Sequence, residues 1–227
     1  MRMSYAGASR VGNNGKNIVL AIISANTERA AMGMGGIWPS TNACVNPNRP
    51  NYDYTKDSVS ETYFADLVGR TPKDAAADNL SWFVFAGGGI PTAATAEQFE
   101  QGGFNAWNYI AGLDKDAPDD APLLITANSK IDRRVLERFS AAAGGALGGG
   151  EINAPSSAEI KALFSPCNPK PLGGDSAIFI QKGGGFQVLQ RKFFSPAQLL
   201  GSSRFDAIHN PGAKVIGAAK GALNSGK

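Results

Sequence analysis

Four aspartates within seven residues, Asp114, Asp116, Asp119 and Asp120, could together hold a cation. Calcium takes about six to eight oxygen ligands, often from one loop, so this stretch is a candidate calcium site; a solvated acidic turn is the alternative reading. Its spacing is not that of an EF-hand, which needs a mid-loop glycine and a terminal glutamate. No other cofactor is indicated. His209, the one histidine, stands in an Ile-His-Asn-Pro stretch and reads as a solvated loop residue. The Gly-x-Ser-x-Gly elbow that would give it a serine nucleophile is missing. One histidine and two distant cysteines also fall short of a zinc set. Glu61, Asp66 and Glu97 are carboxylates from which a hydrolase could be built, without a motif that ties them together. Gly221 to Lys227 spells a phosphate-loop pattern, but lacks the strand, helix and trailing Ser or Thr that such a loop requires. The glycines of 34–38 and 86–89 likewise lack the frame of a dinucleotide fingerprint.

Aromatic residues offer a different chemistry. Trp38, Tyr52, Tyr54, Trp82 and Trp107 could stack on a carbohydrate or peptide, with the neighbouring asparagines supplying polar contacts. A core role is the competing reading, and for Trp82 and Trp38 the stronger one, because one sits in an apolar run and the other at a helix exit.

These residues need a scaffold, and composition permits one. A chain of 227 residues is a plausible single domain able to bury roughly 70% of its unfolded surface. A net charge of +3 with scattered Lys and Arg gives no basic face for nucleic acid. Mean hydropathy is -0.17 and the longest apolar run is the six residues Ile18 to Ile23, far short of a membrane span. Clustered glycines at 87–89, 144–150 and 183–185 mark a loop-rich fold.

Periodicity places a long helix over residues 4–32, with Val11, Ile18, Ile22, Ala25 and Met32 on one face. Gly33, Gly35, Gly36 and Pro39 end it. Ser58-Val-Ser-Glu61 has the pattern of a capping box opening a short helix to Val68. Trp82–Phe85 reads as a strand, Phe104–Ile110 as strand or helix, and Leu123–Thr126 as a strand. Helical spacing recurs at Ile131, Val135, Leu136 and Phe139, over 158–164, at Thr95–Gln98 and over 195–200. The clearest β signal is a hairpin, Ala177–Ile180 and Phe186–Leu189 across Gln181-Lys-Gly-Gly-Gly185. The expectation is α+β: a long N-terminal helix on a small antiparallel sheet with extended loops, in one domain of 1–227. Residues 4–32 are its helix, 37–200 its globular head, and 204–227 a peripheral tail.

Two stretches carry a resemblance to a known family. A small-residue, Arg-bearing run from Ser4 to Arg10 precedes Asn14-x-x-Asn17-Ile18-x-Leu20-Ala21-Ile22, and the exit is Gly36-x-Trp38-Pro39. Far downstream stands Asp175-Ser-Ala-Ile-Phe-Ile-Gln-Lys-Gly-Gly-Gly-Phe-Gln-Val-Leu189. Together, about a quarter of the chain, they resemble type II secretion pseudopilins and related type IV pilin-like proteins of bacteria. The family's processing site, Gly-Phe or Gly-Met with a following Glu and an apolar stem, is not in the sequence. The resemblance implies a pilin-like fold and a full-length precursor anchored in the inner membrane by that stem. It also implies a soluble head in the periplasm or outside the cell, self-association with other pilin-like subunits, and contact with the envelope assembly machinery. The calcium-bearing loop of major pseudopilins lies elsewhere in the sequence, so the resemblance does not assign the four aspartates.

In an exported protein Cys44 and Cys167, each in a Pro/Asn-rich loop, are a candidate disulfide worth up to about 4–5 kcal/mol in the chain-entropy model. In a reducing compartment they are two unrelated thiols. The functional expectation is a structural filament subunit of the cell envelope, with no catalysis of its own. Its packing face would be the helix residues Val11, Ile18, Ile22, Ala25 and Met32, shared between the subunit's own sheet and its neighbours. The alternative is an extracellular binding or adhesion module that recognises glycan or protein through the aromatics Trp38, Tyr52, Tyr54 and Trp107.

Overall fold

Five short strands build one antiparallel sheet: β1 Trp107–Ala111, β2 Pro122–Thr126, β3 Ser176–Gln181, β4 Phe186–Gln190 and β5 Lys214–Ile216. The computed structural model describes residues 5–71, 73–78, 80–132, 135, 156–164, 172, 174–191 and 213–224. Strand order is β4-β3-β2-β1-β5, so four strands meander and the last returns to the open side of β1. In register, Tyr109 faces Leu124, Leu124 faces Ile180, and Ile180 faces Phe186. Those four side chains therefore run in a row across one face of the sheet. β1 and β2 are buried at every position, as central strands covered on both faces must be.

Helix α1, Tyr5–Ala31, packs on β3 and β4 at one end of that row. Its 27 residues span about 40 Å. Val11, Ile18, Val19 and Ile22 are fully buried, each burial worth about 1.5–3 kcal/mol. Two glycines let the helix come close: the Phe186 ring lies over Gly12, and the Trp107 ring and Ile180 lie over Gly15. At the far end, Gly33 takes a left-handed φ of 69° and the Met34 amide donates to the Arg29 carbonyl, which stops the helix. Asn26 then pins the exit by accepting the Ile37 amide at 2.9 Å.

Helix α2, Glu61–Val68, places Tyr63 and Phe64 against Tyr109, on the same face of the sheet as α1. Helix α3, Ala96–Glu100, is capped by Thr95, whose hydroxyl oxygen accepts the Gln98 amide. Helix α4, Ser157–Leu163, opens with a full capping box between Ser156 and Glu159.

Three expectations are corrected. Trp82–Phe85 is a 3-10 turn, not a strand. Among the described residues it pairs with no strand: Asn14 of α1 donates to the Phe83 and Ala86 carbonyls, the Ala106 amide donates to the Phe85 carbonyl, and Trp82 and Phe85 pack on Phe99. The Ser58–Glu61 capping box does not form; the N-cap is Ser60, whose hydroxyl donates to the Trp107 carbonyl, and Glu61 is drawn to another segment. The tail is not peripheral over 213–224: it supplies β5 and buries Ala213, Ile216, Ala218 and Ala222. Phe104–Ile110 resolves as the strand β1, starting at Trp107. The expected helices through Leu136 and Phe139 and over 195–200 lie outside the described residues, as do Cys167 and His209.

Candidate functional site

The helix face expected to pack subunits is for the most part spent inside the molecule. Val11, Ile18 and Ile22 are fully buried and Ala25 nearly so, whereas Met32 is 71% exposed just beyond the helix. On its other side α1 borders a groove of about 550 Å³, walled by Ala75, Ala76, Asp78, Leu80 and Val84. Leu20, Ala21, Met32 and Met34 line it together with the acidic Glu28 and Asp78. At the opposite end of the helix, the Arg10 guanidinium lies over the exposed Phe83 ring, 5.3 Å from its centroid. Arg29, which also lines the groove, is occupied: it donates to the Gly35 and Cys44 carbonyls.

The aromatics expected to bind a ligand are core residues. Tyr54 and Trp107 are fully buried, Trp38 is 9% exposed, and only Tyr52 and Trp82 are half-buried. Tyr54 packs edge-on against Tyr52 and Tyr63, and its hydroxyl donates to Asp66 at 2.7 Å. Asp66 also accepts from Asn46 and pairs with Arg49, whose guanidinium covers the Tyr52 ring at 4.5 Å. Nearby, Asp57 accepts from the hydroxyls of Tyr52 and Tyr109. Burial pushes the Asp57 carboxyl up, against the pull of those two donors. The cluster ties the 46–57 loop to α2 and β1, and its rings offer no open stacking face.

The acidic loop is organised by a side chain that sequence reasoning missed. Lys182, in the turn between β3 and β4, is 5% exposed. Its ammonium donates to the Lys115 and Ala117 carbonyls at 3.1 and 2.8 Å, lies 3.8 Å from Asp119, and faces the Trp38 ring at 4.9 Å. A fixed positive charge thus stands where loop oxygens converge. Asp119 reaches it, whereas Asp114 caps its own turn by accepting the Asp116 and Ala117 amides, and Asp116 pairs with Lys115. Among the described residues no three His, Cys, Asp or Glu side chains are grouped to hold a metal. The only hint in the sequence was a lysine followed by three glycines in a tight hairpin.

The three carboxylates named for hydrolysis are separate. Glu97 is exposed and paired with Arg70. Asp66 belongs to the tyrosine cluster. Glu61, 1% exposed, accepts the Ala219 amide at 2.9 and 3.1 Å and so fastens the C-terminal segment to α2. Burial pushes its carboxyl up to about 7, although the Ala219 bond works the other way. None of the three lines the groove beside α1.

No protein-family model, curated protein or solved structure matches the chain. Among the described residues no helix is long and apolar enough to cross a membrane. Cys44 donates to Asn51 at 3.4 Å; its expected pairing with Cys167 falls outside the described residues.

Proposed function

We propose that the chain is a structural subunit of a pilin-like filament, a type II secretion pseudopilus or a related fibre of the bacterial cell envelope. The observation that carries this reading is α1. A helix of about 40 Å packs on β3 and β4 of an antiparallel sheet, closely at Gly12 and Gly15, and is bordered elsewhere by exposed apolar residues and a groove. Such a surface suits repeated contact with neighbours better than it suits catalysis, and each candidate catalytic carboxylate is occupied by a local partner. In this reading an apolar stem preceding α1 anchors the precursor in the inner membrane and bundles into the filament core. The sheet and loops form the outer surface, and a separate envelope machine drives assembly. The subunit then needs stability and a repeating contact, and no active site.

The experiment is N-terminal sequencing with intact mass on the protein isolated from its own cells. A methylated residue heading an apolar stem upstream of Ser4 supports the reading. A native chain beginning at Met1 overturns it.

A further inference from the structure

The exposed large apolar side chains among the described residues are Leu20, Met32, Met34, Phe83 and Phe186, and all five border α1. Four of them form two patches of opposite net charge. Phe83 carries the Arg10 guanidinium on its ring, near the start of the helix. Leu20, Met32 and Met34 line the groove toward its end, where the carboxylates of Glu28 and Asp78 outnumber the one cation, Arg29, which is turned onto the Gly35 and Cys44 carbonyls. Arg10, Glu28 and Asp78 have no ion-pair partner among the described residues. Arg10 and Glu28 are 18 positions apart (28 minus 10), which is five turns, so they lie on the same side of α1 about 27 Å apart.

We propose that the groove beside α1 receives a second copy of this chain, shifted along the helix by about 27 Å, so that Phe83 and Arg10 of one copy seat against Met32, Glu28 and Asp78 of the next. This rests on the filament reading and supplies the contact that reading lacks. The two patches are different surfaces, so the contact is head-to-tail: each copy that fills one groove presents another. An interface of that kind that does not close into a ring propagates as an open helical array. Apolar burial of Phe83 among methionines drives the association, and the Arg10–Glu28 pair fixes the shift. An antiparallel pair could also match Arg10 with Glu28, but it would use both patches at once and stop at a dimer.

The test is charge reversal in the full-length protein, in cells that assemble it, with filament yield as the readout. Arg10→Glu and Glu28→Arg are each expected to lower the yield about ten-fold or more, and the double reversal to bring it back within about three-fold of the unaltered protein. Both residues are exposed, and circular dichroism of the purified variants confirms that they fold. A double variant no better than the singles overturns the contact, as does a closed dimer in sedimentation velocity. Filaments undiminished in all three variants overturn the contact and leave the filament reading intact. Unaltered protein that neither forms filaments nor self-associates overturns both.

Discussion

Gly15 lies flat against the Trp107 indole: a Cβ built on it would stand 2.6 Å from two ring carbons and 2.7 Å from Ile180 Cγ1. Trp107 is fully buried and cannot move aside. Gly15→Ala should therefore destabilise the protein by about 1–3 kcal/mol, even though alanine is the better helix former by about 1 kcal/mol. Gly12→Ala is the control. Its added methyl meets Phe186, a ring 37% exposed that can swing outward, so stability should stay within about 1 kcal/mol of the parent. Urea unfolding of the two variants measures the difference, and equal losses would contradict the close seat of α1 at Trp107.

Lys182→Met should cost about 1–3 kcal/mol, because the Lys115 and Ala117 carbonyls lose a charged donor in a buried setting. With the ammonium already holding those oxygens, adding calcium to the unaltered protein should leave its melting temperature unchanged. A rise with calcium would show that the acidic loop takes a cation after all.

Glu61 makes stability depend on pH in a particular direction. Its folded pKa of about 7 lies above the ordinary 4.5, so the native state holds the proton more tightly than the unfolded chain. The contribution is complete below about 4.5 and is lost as pH rises through about 7, roughly 3 kcal/mol in all. Asp57, also raised by burial, adds a slope of the same sign. Melting temperature should fall from pH 5 to pH 8, and Glu61→Gln, which keeps an acceptor for Ala219, should remove most of the fall. An unchanged slope in that variant would put the titration elsewhere.

Asp66→Ala leaves the buried Tyr54 hydroxyl and the Asn46 amide without their acceptor and Arg49 without its counter-charge. The expected loss is about 3 kcal/mol, read by thermal unfolding. Tyr54→Phe in the same background should cost little more, since the hydroxyl has already lost its partner.

Local signals in the sequence were legible where one segment determines its own state. Apolar spacing placed α1, and alternation around three glycines placed the β3–β4 hairpin. Segments whose state depends on distant partners were misread. Trp82–Phe85 has a strand's composition but packs its rings on Phe99 of α3, and its Phe83 and Phe85 carbonyls accept from Asn14 and the Ala106 amide. Glu61 has a cap's spacing yet serves an amide 158 residues away. The tail, rich in Gly, Ala and Lys, carries little apolar pattern, and β5 is held by pairing with β1 more than by its own residues. Of the candidate surface, the sequence named Met32, but on a helical face whose other members, Val11, Ile18, Ile22 and Ala25, are buried inside the molecule. Leu20 and Phe83 were not named, because being apolar does not say which face of a helix or turn a residue occupies.

The return of β5 to β1 has a bearing on synthesis. The Asn108 side chain takes the Ala218 amide across 110 residues, and the flank of β1 stays unpaired until that late segment arrives. Closing so long a loop is slow compared with forming α1 or the β3–β4 hairpin. A nascent chain therefore carries β1 with one raw margin from residue 111 until residue 214 has been made, open to proteases and to pairing with other unfinished chains. Arrival of the last strand ends that exposure, so an intact sheet is itself a sign that translation has passed residue 216.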